Sequence, residues 1–155
     1  MHMENEEDEY VNFTVYISHG EGDLWRKVET YLNADLECDA VNINDDNDSD
    51  QTLVERLEAE TNYCDFAIII LTAADSKGSA RTRLLHELGF CQGKFGWENV
   101  LVLKEAGAEE FSNISGIMYE EFSGTNIEST FPRIESEIDG AFDRLDAEAF
   151  DSEED

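Results

Sequence analysis

The sequence predicts an α/β domain built on an open sheet of five parallel strands in the order 2-1-3-4-5, with helices on both faces. Short β-rich runs alternate with helix-period runs along the chain, which is the pattern of successive βαβ units. The run from Cys64 to Thr72 (CDFAIIILT) is apolar almost throughout, as befits a central parallel strand covered on both faces. Crossovers between parallel strands are right-handed, and for five strands the simplest order that satisfies this is flavodoxin-like. Ligands of such sheets sit beyond the carboxyl ends of the strands at the switch point, here between strands one and three.

The elements follow in order. Phe13 to Ser18 (FTVYIS) is the first strand, and the HGEGD loop after it ends in Asp23, a candidate N-cap for an amphipathic helix through Leu32. Cys38 to Ile43 is the second strand, NDDNDSD a polar loop, and Thr52 to Thr61 the second helix. After the third strand, Cys64 to Thr72, a helix is expected over Ala80 to Phe95, because Leu84, Leu88, Cys91 and Phe95 recur at i, i+4, i+7 and i+11. Asn99 to Leu103 is the fourth strand and Ile117 to Phe122 the fifth, after an SNISG turn. The last helix starts near Ile127, accommodates Pro132 in its first turn, and fades into the acidic DAEAFDSEED. The expected organisation is an acidic N-terminus over 1–10, one domain over 11–145 and an acidic tail over 146–155.

At 155 residues and 41% hydrophobic, the chain has material for one core and no second. Thirty-eight acids against ten Lys and Arg give a net charge of -28, a composition similar to that of proteins from salt-accumulating microbes. In about 1 M salt the Debye length is about 3 Å and self-repulsion is largely screened. The melting midpoint is therefore expected to fall as KCl is lowered from about 1 M to about 0.1 M; a midpoint that holds or rises on dilution sinks the halophilic reading. Such acidity also argues against nucleic acid as a partner, since phosphate binding needs several cations.

Cys38, Cys64 and Cys91 lack C-x-x-C spacing and read as reduced thiols of a cytoplasmic protein. The N-terminus is acidic where a secretory signal is basic and then apolar. The longest apolar run, Phe66 to Leu71, is far short of a membrane span. No membrane association is expected.

Residues 77 to 104 depart from the general acidity. They carry Lys77, Arg81, Arg83, Lys94 and Lys104 against only Glu87 and Glu98, a local positive field suited to an anionic ligand. Glu87 is the only acid between Lys77 and Trp97. Three residues beyond Leu84, it sits at the edge of the helix's apolar stripe, where a carboxylate can be desolvated or held by Arg81 and Arg83. The Arg83 and Glu87 spacing also fits an ordinary i,i+4 helix pair, worth a few tenths of a kcal/mol. Candidate binding residues gather at the predicted switch point: Ser18 at the end of strand one with His19, Gly20 and Asp23 after it, Thr72 at the end of strand three, and Arg81 and Arg83 on the helix. Gly20 and Gly22 would let backbone N–H groups approach a phosphate or ribose, or they are turn glycines. No metal site is expected. Counted as a calcium loop from Asp46, the acidic loop has Gln51 where glycine is needed and Leu57 where the bidentate Glu belongs, and His and Cys lack zinc spacing.

The succession VYISHGEGD, DQTLVERLE, FAIIILTAAD, ARTRLLHELGFCQGKFGWENVLVL and ISGIMY resembles the prokaryotic TIR-like (Toll/interleukin-1 receptor-like) nucleotide-binding proteins over residues 13 to 140. The family's H-G pair falls on His19 and Gly20, and its T-[IL]-[IV]-E-K/R-[FL]-E run on Thr52 to Glu58. Its R-x-N-x-x-x-E-[LF]-G and G-K-[LF]-G motifs fall on Arg81, Glu87, Leu88 and Gly89, and on Gly93 to Gly96. The resemblance implies that Glu87 cleaves the nicotinamide–ribose bond of NAD, a substrate rather than a cofactor, in microbial stress or antiphage defence. It also implies self-assembly with other TIR domains, or activation by a separate sensor protein. Arg83 stands where the family has asparagine, and the Trp-Cys pair of animal-type TIR domains is absent. Two alternatives stay open: a non-catalytic nucleotide-sensing or assembly module, and a nucleoside deoxyribosyltransferase-like enzyme, whose related fold also places a glutamate in an E-[LIV]-G motif.

Overall fold

A computed structural model describes residues 13–43, 52–75, 78–109 and 118–154. The acidic N-terminus 1–10, the acidic loop 45–50, Lys77 and the SNISG turn lie outside the described residues. Five parallel strands form one sheet: β1 (Thr14–His19), β2 (Asp39–Val41), β3 (Phe66–Leu71), β4 (Val100–Glu105) and β5 (Tyr119–Phe122), in the order β2-β1-β3-β4-β5. This is the flavodoxin-like order expected from the crossover rule. Central β3 is buried at all six positions, which accounts for its unbroken apolar run.

Strand alternation divides the core in two. Val15, Ile17, Ile68, Ile70, Leu101 and Leu103 pack with Val28 of α1 (Trp25–Thr30) and with Ile134 and Ile138 of α4 (Phe131–Glu154). Tyr16, Ala67, Ile69, Leu71, Val100 and Val102 pack with Leu57 of α2 (Leu53–Thr61) and with Leu84, Leu88 and Cys91 of α3 (Gly78–Phe95). Each fully buried aliphatic side chain of this kind contributes about 1.5–3 kcal/mol relative to exposure. The second face matters for function, because Ser18, two residues beyond Tyr16, points with it toward α3.

Element ends differ from the expected ones in instructive ways. Asp23 does not cap α1. The N-cap is Leu24, without a side-chain hydrogen bond, and Asp23 contributes its carbonyl to Arg26 N at 3.0 Å. α1 is extended by a π-turn over Tyr31–Asp35. Helix α2 starts with a capping box: Thr52 Oγ1 accepts from Glu55 N at 3.1 Å, and Glu55 Oε1 from Thr52 N at 2.8 Å, a device worth about 1 kcal/mol. Helix α3 begins at Gly78, two residues earlier than its periodicity suggests, with φ at +75° that favours glycine. Pro132 is the second residue of α4, where its missing N–H costs no helical bond. That helix continues to Glu154, through the residues read as an acidic tail. At the sheet edge, the backbone N–H of Ala40 in β2 donates to the Asn33 side chain at 3.0 Å.

The three cysteines are free, and burial pushes each thiol up to about 12. In the unfolded chain they ionise from about pH 9, while in the folded chain they still hold their protons. The folded state therefore binds more protons between about pH 9 and 12, so stability falls as pH rises through that window. A melting midpoint that is flat from about pH 8.5 to 11 would contradict this.

Candidate functional site

A cleft of about 1090 Å³ opens at the carboxyl ends of β1 and β3, the switch point of the sheet. His19, Gly20 and Glu21 line one side; Ala74, Asp75 and the first turn of α3 at Gly78 and Ser79 line another. Glu87 lies in its wall, 0% exposed as a residue. The stripe of Leu84, Leu88 and Cys91 turns α3 toward the sheet, and Glu87 falls inside that stripe rather than at its edge.

Three donors meet its carboxylate. Tyr16 Oη and Ser18 Oγ both donate to Oε1, at 2.9 and 2.6 Å. Arg83 Nη1 donates to Oε2 at 3.0 Å. Hydrogen bonds to a carboxylate in a buried site are short and strong because nothing else screens or replaces them. Oε1 is thus anchored in the protein, while among the described residues Oε2 meets Arg83 alone, itself on the cleft wall. Burial, followed by the neighbouring Glu87 charge, drives the Tyr16 phenol far above its ordinary value, so Tyr16 acts as a donor at any working pH. Arg83 has a second hand: its Nη2 donates to the His19 carbonyl at 2.8 Å. The His19 ring stacks on Trp25 with centroids 4.3 Å apart and planes 9° off parallel, and the Arg26 guanidinium lies 4.7 Å from the Trp25 ring centroid.

The residues singled out from sequence are distributed unevenly about this cleft. His19, Gly20, Arg83 and Glu87 line it. Ser18 is buried beneath Glu87 and supports it. Thr72 turns its hydroxyl to Asp75. Arg81 reaches the Glu109 carbonyl at 2.8 Å, and Asp23 is exposed; neither is among the lining residues. Tyr16 and Asp75 join the site without being among the candidates from sequence, although both left signals. Tyr16 shares its strand face with Ser18 by the two-residue period, and Thr72-x-x-Asp75 is a turn-closing pattern.

A parallel 2-1-3-4-5 sheet with a cleft at its switch point is the flavodoxin-like architecture that TIR domains share. The chain belongs to the family described as CAP12/Pycsar effector protein, TIR domain, whose profile matches residues 14–124. It is 30% identical over 121 residues to the uncharacterized protein YuaY of Escherichia coli K12, covering 72% of this chain and 40% of that protein. It is 28% identical over 102 residues to protein tirC of Dictyostelium discoideum, covering 57% of this chain and 51% of that one. The chain thus spans about half or less of the length of these curated relatives. In three dimensions it resembles the SEFIR domain of interleukin-17 receptor B, with a TM-score of 0.54 over 84% of this chain and 96% of that one, at 8% identity, a likeness of fold alone. No helix among the described residues is long and apolar enough to cross a membrane.

Proposed function

We propose that this TIR domain is an NAD glycohydrolase that serves a defence response inside the cell. The observation that carries the reading is Glu87: a buried carboxylate at the switch-point cleft, with one oxygen anchored and the other facing a cleft-lining arginine. Breaking the nicotinamide–ribose bond sends the bonding electron pair to nicotinamide, which leaves neutral, and positive charge develops on the ribose. A fixed carboxylate in a buried wall stabilises that charge, and it orients the water whose oxygen bonds to the anomeric carbon as its proton is released. Neither a metal nor a strong acid is required by this chemistry. The first turn of α3, which carries no acid, and Arg83 give the pyrophosphate a positive end of the cleft. Nicotinamide is distinguished by departing; ADP-ribose is what remains.

A second reading is a nucleotide-binding module that does not turn over. The pairing of Arg83 with Glu87 Oε2 favours it, because an oxygen already held by a guanidinium is less able to stabilise a second cation. Both readings fit activation by self-assembly or by a separate sensor protein. Incubating the protein with NAD at about 1 M salt and high protein concentration, and following nicotinamide, separates them. Release supports the enzyme; ADP-ribose binding with no release supports the module; neither binding nor release removes both.

A further inference from the structure

Two carboxyl side chains are buried in the walls of the cleft, and the chemistry above uses one of them. The other is Asp75, 3% exposed, in the turn that follows β3. Among the described residues no ion pair joins it to a Lys or Arg. Its Oδ2 accepts from the Thr72 hydroxyl at 2.9 Å, and its Oδ1 from the Glu21 backbone N–H at 3.3 Å. Burying a carboxyl group on neutral donors alone is costly, and the turn does not require it, because Asp75 N already donates to the Thr72 carbonyl at 3.1 Å. What the carboxyl adds is a reach across the switch point to the loop after β1.

That reach is tight. A Cβ built on Gly20 would overlap the Asp75 carboxyl group, so the loop rides directly on it. Gly20 has no positive φ to explain its identity; close approach does. One residue back, the His19 carbonyl accepts from Arg83 Nη2, and Arg83 Nη1 donates to Glu87 Oε2. A continuous series of contacts therefore runs from Asp75 through the 19–21 loop to Arg83 and the carboxylate of Glu87.

We infer that Asp75 is a positioning residue: it straps the 19–21 loop to the end of β3, so that the His19 carbonyl holds the Arg83 guanidinium against Glu87. The strap works by hydrogen bonding and not by charge. An asparagine at 75 can keep it, accepting from Glu21 N with its oxygen while its amide donates to Thr72 Oγ1; an alanine cannot. The effect on nucleotide affinity rests on the function proposed above, whereas the strap itself does not.

Solution NMR of Asp75→Ala and Asp75→Asn reads the strap directly. Asp75→Ala is expected to speed exchange of the Glu21 amide about tenfold, the loss of one hydrogen bond, and to shift the Arg83 guanidinium signals; Asp75→Asn keeps both near wild type. Wild-type values in folded Asp75→Ala overturn the strap, and so does an Asp75→Asn that behaves like Asp75→Ala. Gly20→Ala lowers the melting midpoint of the wild type but is neutral when added to Asp75→Ala, because the overlapping atoms are gone; an equal loss in both backgrounds overturns the contact. Should Asp75→Ala not fold, Thr72→Val, which removes the hydroxyl holding Oδ2, carries the same NMR readout. Calorimetry with ADP-ribose supplies the functional arm: about tenfold weaker binding for Asp75→Ala and less than about twofold change for Asp75→Asn. Unchanged affinity in folded Asp75→Ala overturns the positioning role. A wild type that does not bind ADP-ribose overturns the nucleotide reading, and the NMR and melting arms then decide the role of Asp75 by themselves.

Discussion

Glu87→Gln is expected to lower nicotinamide release by about 100-fold or more, the loss typical of removing a charge that stabilises a transition state. It is also expected to lower stability, which an exposed helix pair would not do. The amide can keep Tyr16 and Ser18 on its oxygen, but its NH₂ then faces Arg83 Nη1, donor against donor. Such a mismatch in a buried site costs about 1–3 kcal/mol. The lower half of that range is expected here because the Arg83 side chain is 36% exposed and water can serve it. Rate and melting midpoint, measured under the same assembled, high-salt conditions, test both halves. Equal rates for variant and wild type remove Glu87 from the chemistry; a midpoint that does not move contradicts its burial.

Arg83→Ala is the second large effect, lowering both stability and binding for different reasons. Removing the guanidinium leaves Glu87 buried on two hydroxyls. Breaking a buried pair costs about 3–5 kcal/mol, reduced here because one partner is half open. Affinity for ADP-ribose is expected to drop about tenfold or more, as a charge-assisted hydrogen bond to the pyrophosphate is lost. Arg81→Ala is the internal control, since Arg81 reaches the Glu109 carbonyl and is not a lining residue; it should change affinity less than about twofold. Calorimetry and melts on the two single variants decide the matter. If Arg81→Ala weakens binding as much as Arg83→Ala does, the ligand lies further along α3 than the cleft wall.

The sheet was legible because its physics is local and repetitive. An unbroken apolar run can be a strand only if both faces are covered, and β3 is covered throughout; the handedness of crossovers then leaves little choice of order. Element ends were less legible. Asp23 is an acceptable N-cap by residue type, yet the chain turns one residue later and Leu24 takes the position without a side-chain bond. Glu87 could be located from the HELG segment and its basic surroundings, but its depth could not. Helix spacing places it beside Leu84 and Leu88, whereas the groups that make its burial tolerable, Tyr16 and Ser18, are 71 and 69 residues away in sequence. Pairing with Arg83 was visible at i,i+4; that the same guanidinium also holds the His19 carbonyl is a fact of the closed sheet. Arg81 and Arg83 look equivalent on paper, and only the turn of the helix separates the one on the cleft from the one beside it.

The contact between Asn33 and the Ala40 amide bears on how copies of this chain can meet. A strand at the border of a sheet recruits foreign strands through its unfilled backbone donors and acceptors. β2 is three residues long, and the donor of its middle residue is already occupied by a side chain from the same molecule. A visiting strand would have to evict Asn33 before it gained its first rung, for a ladder too short to repay the exchange. Growth of a continuous intermolecular sheet is thereby discouraged on this flank, and any contact between copies would have to use the helical faces or the opposite border.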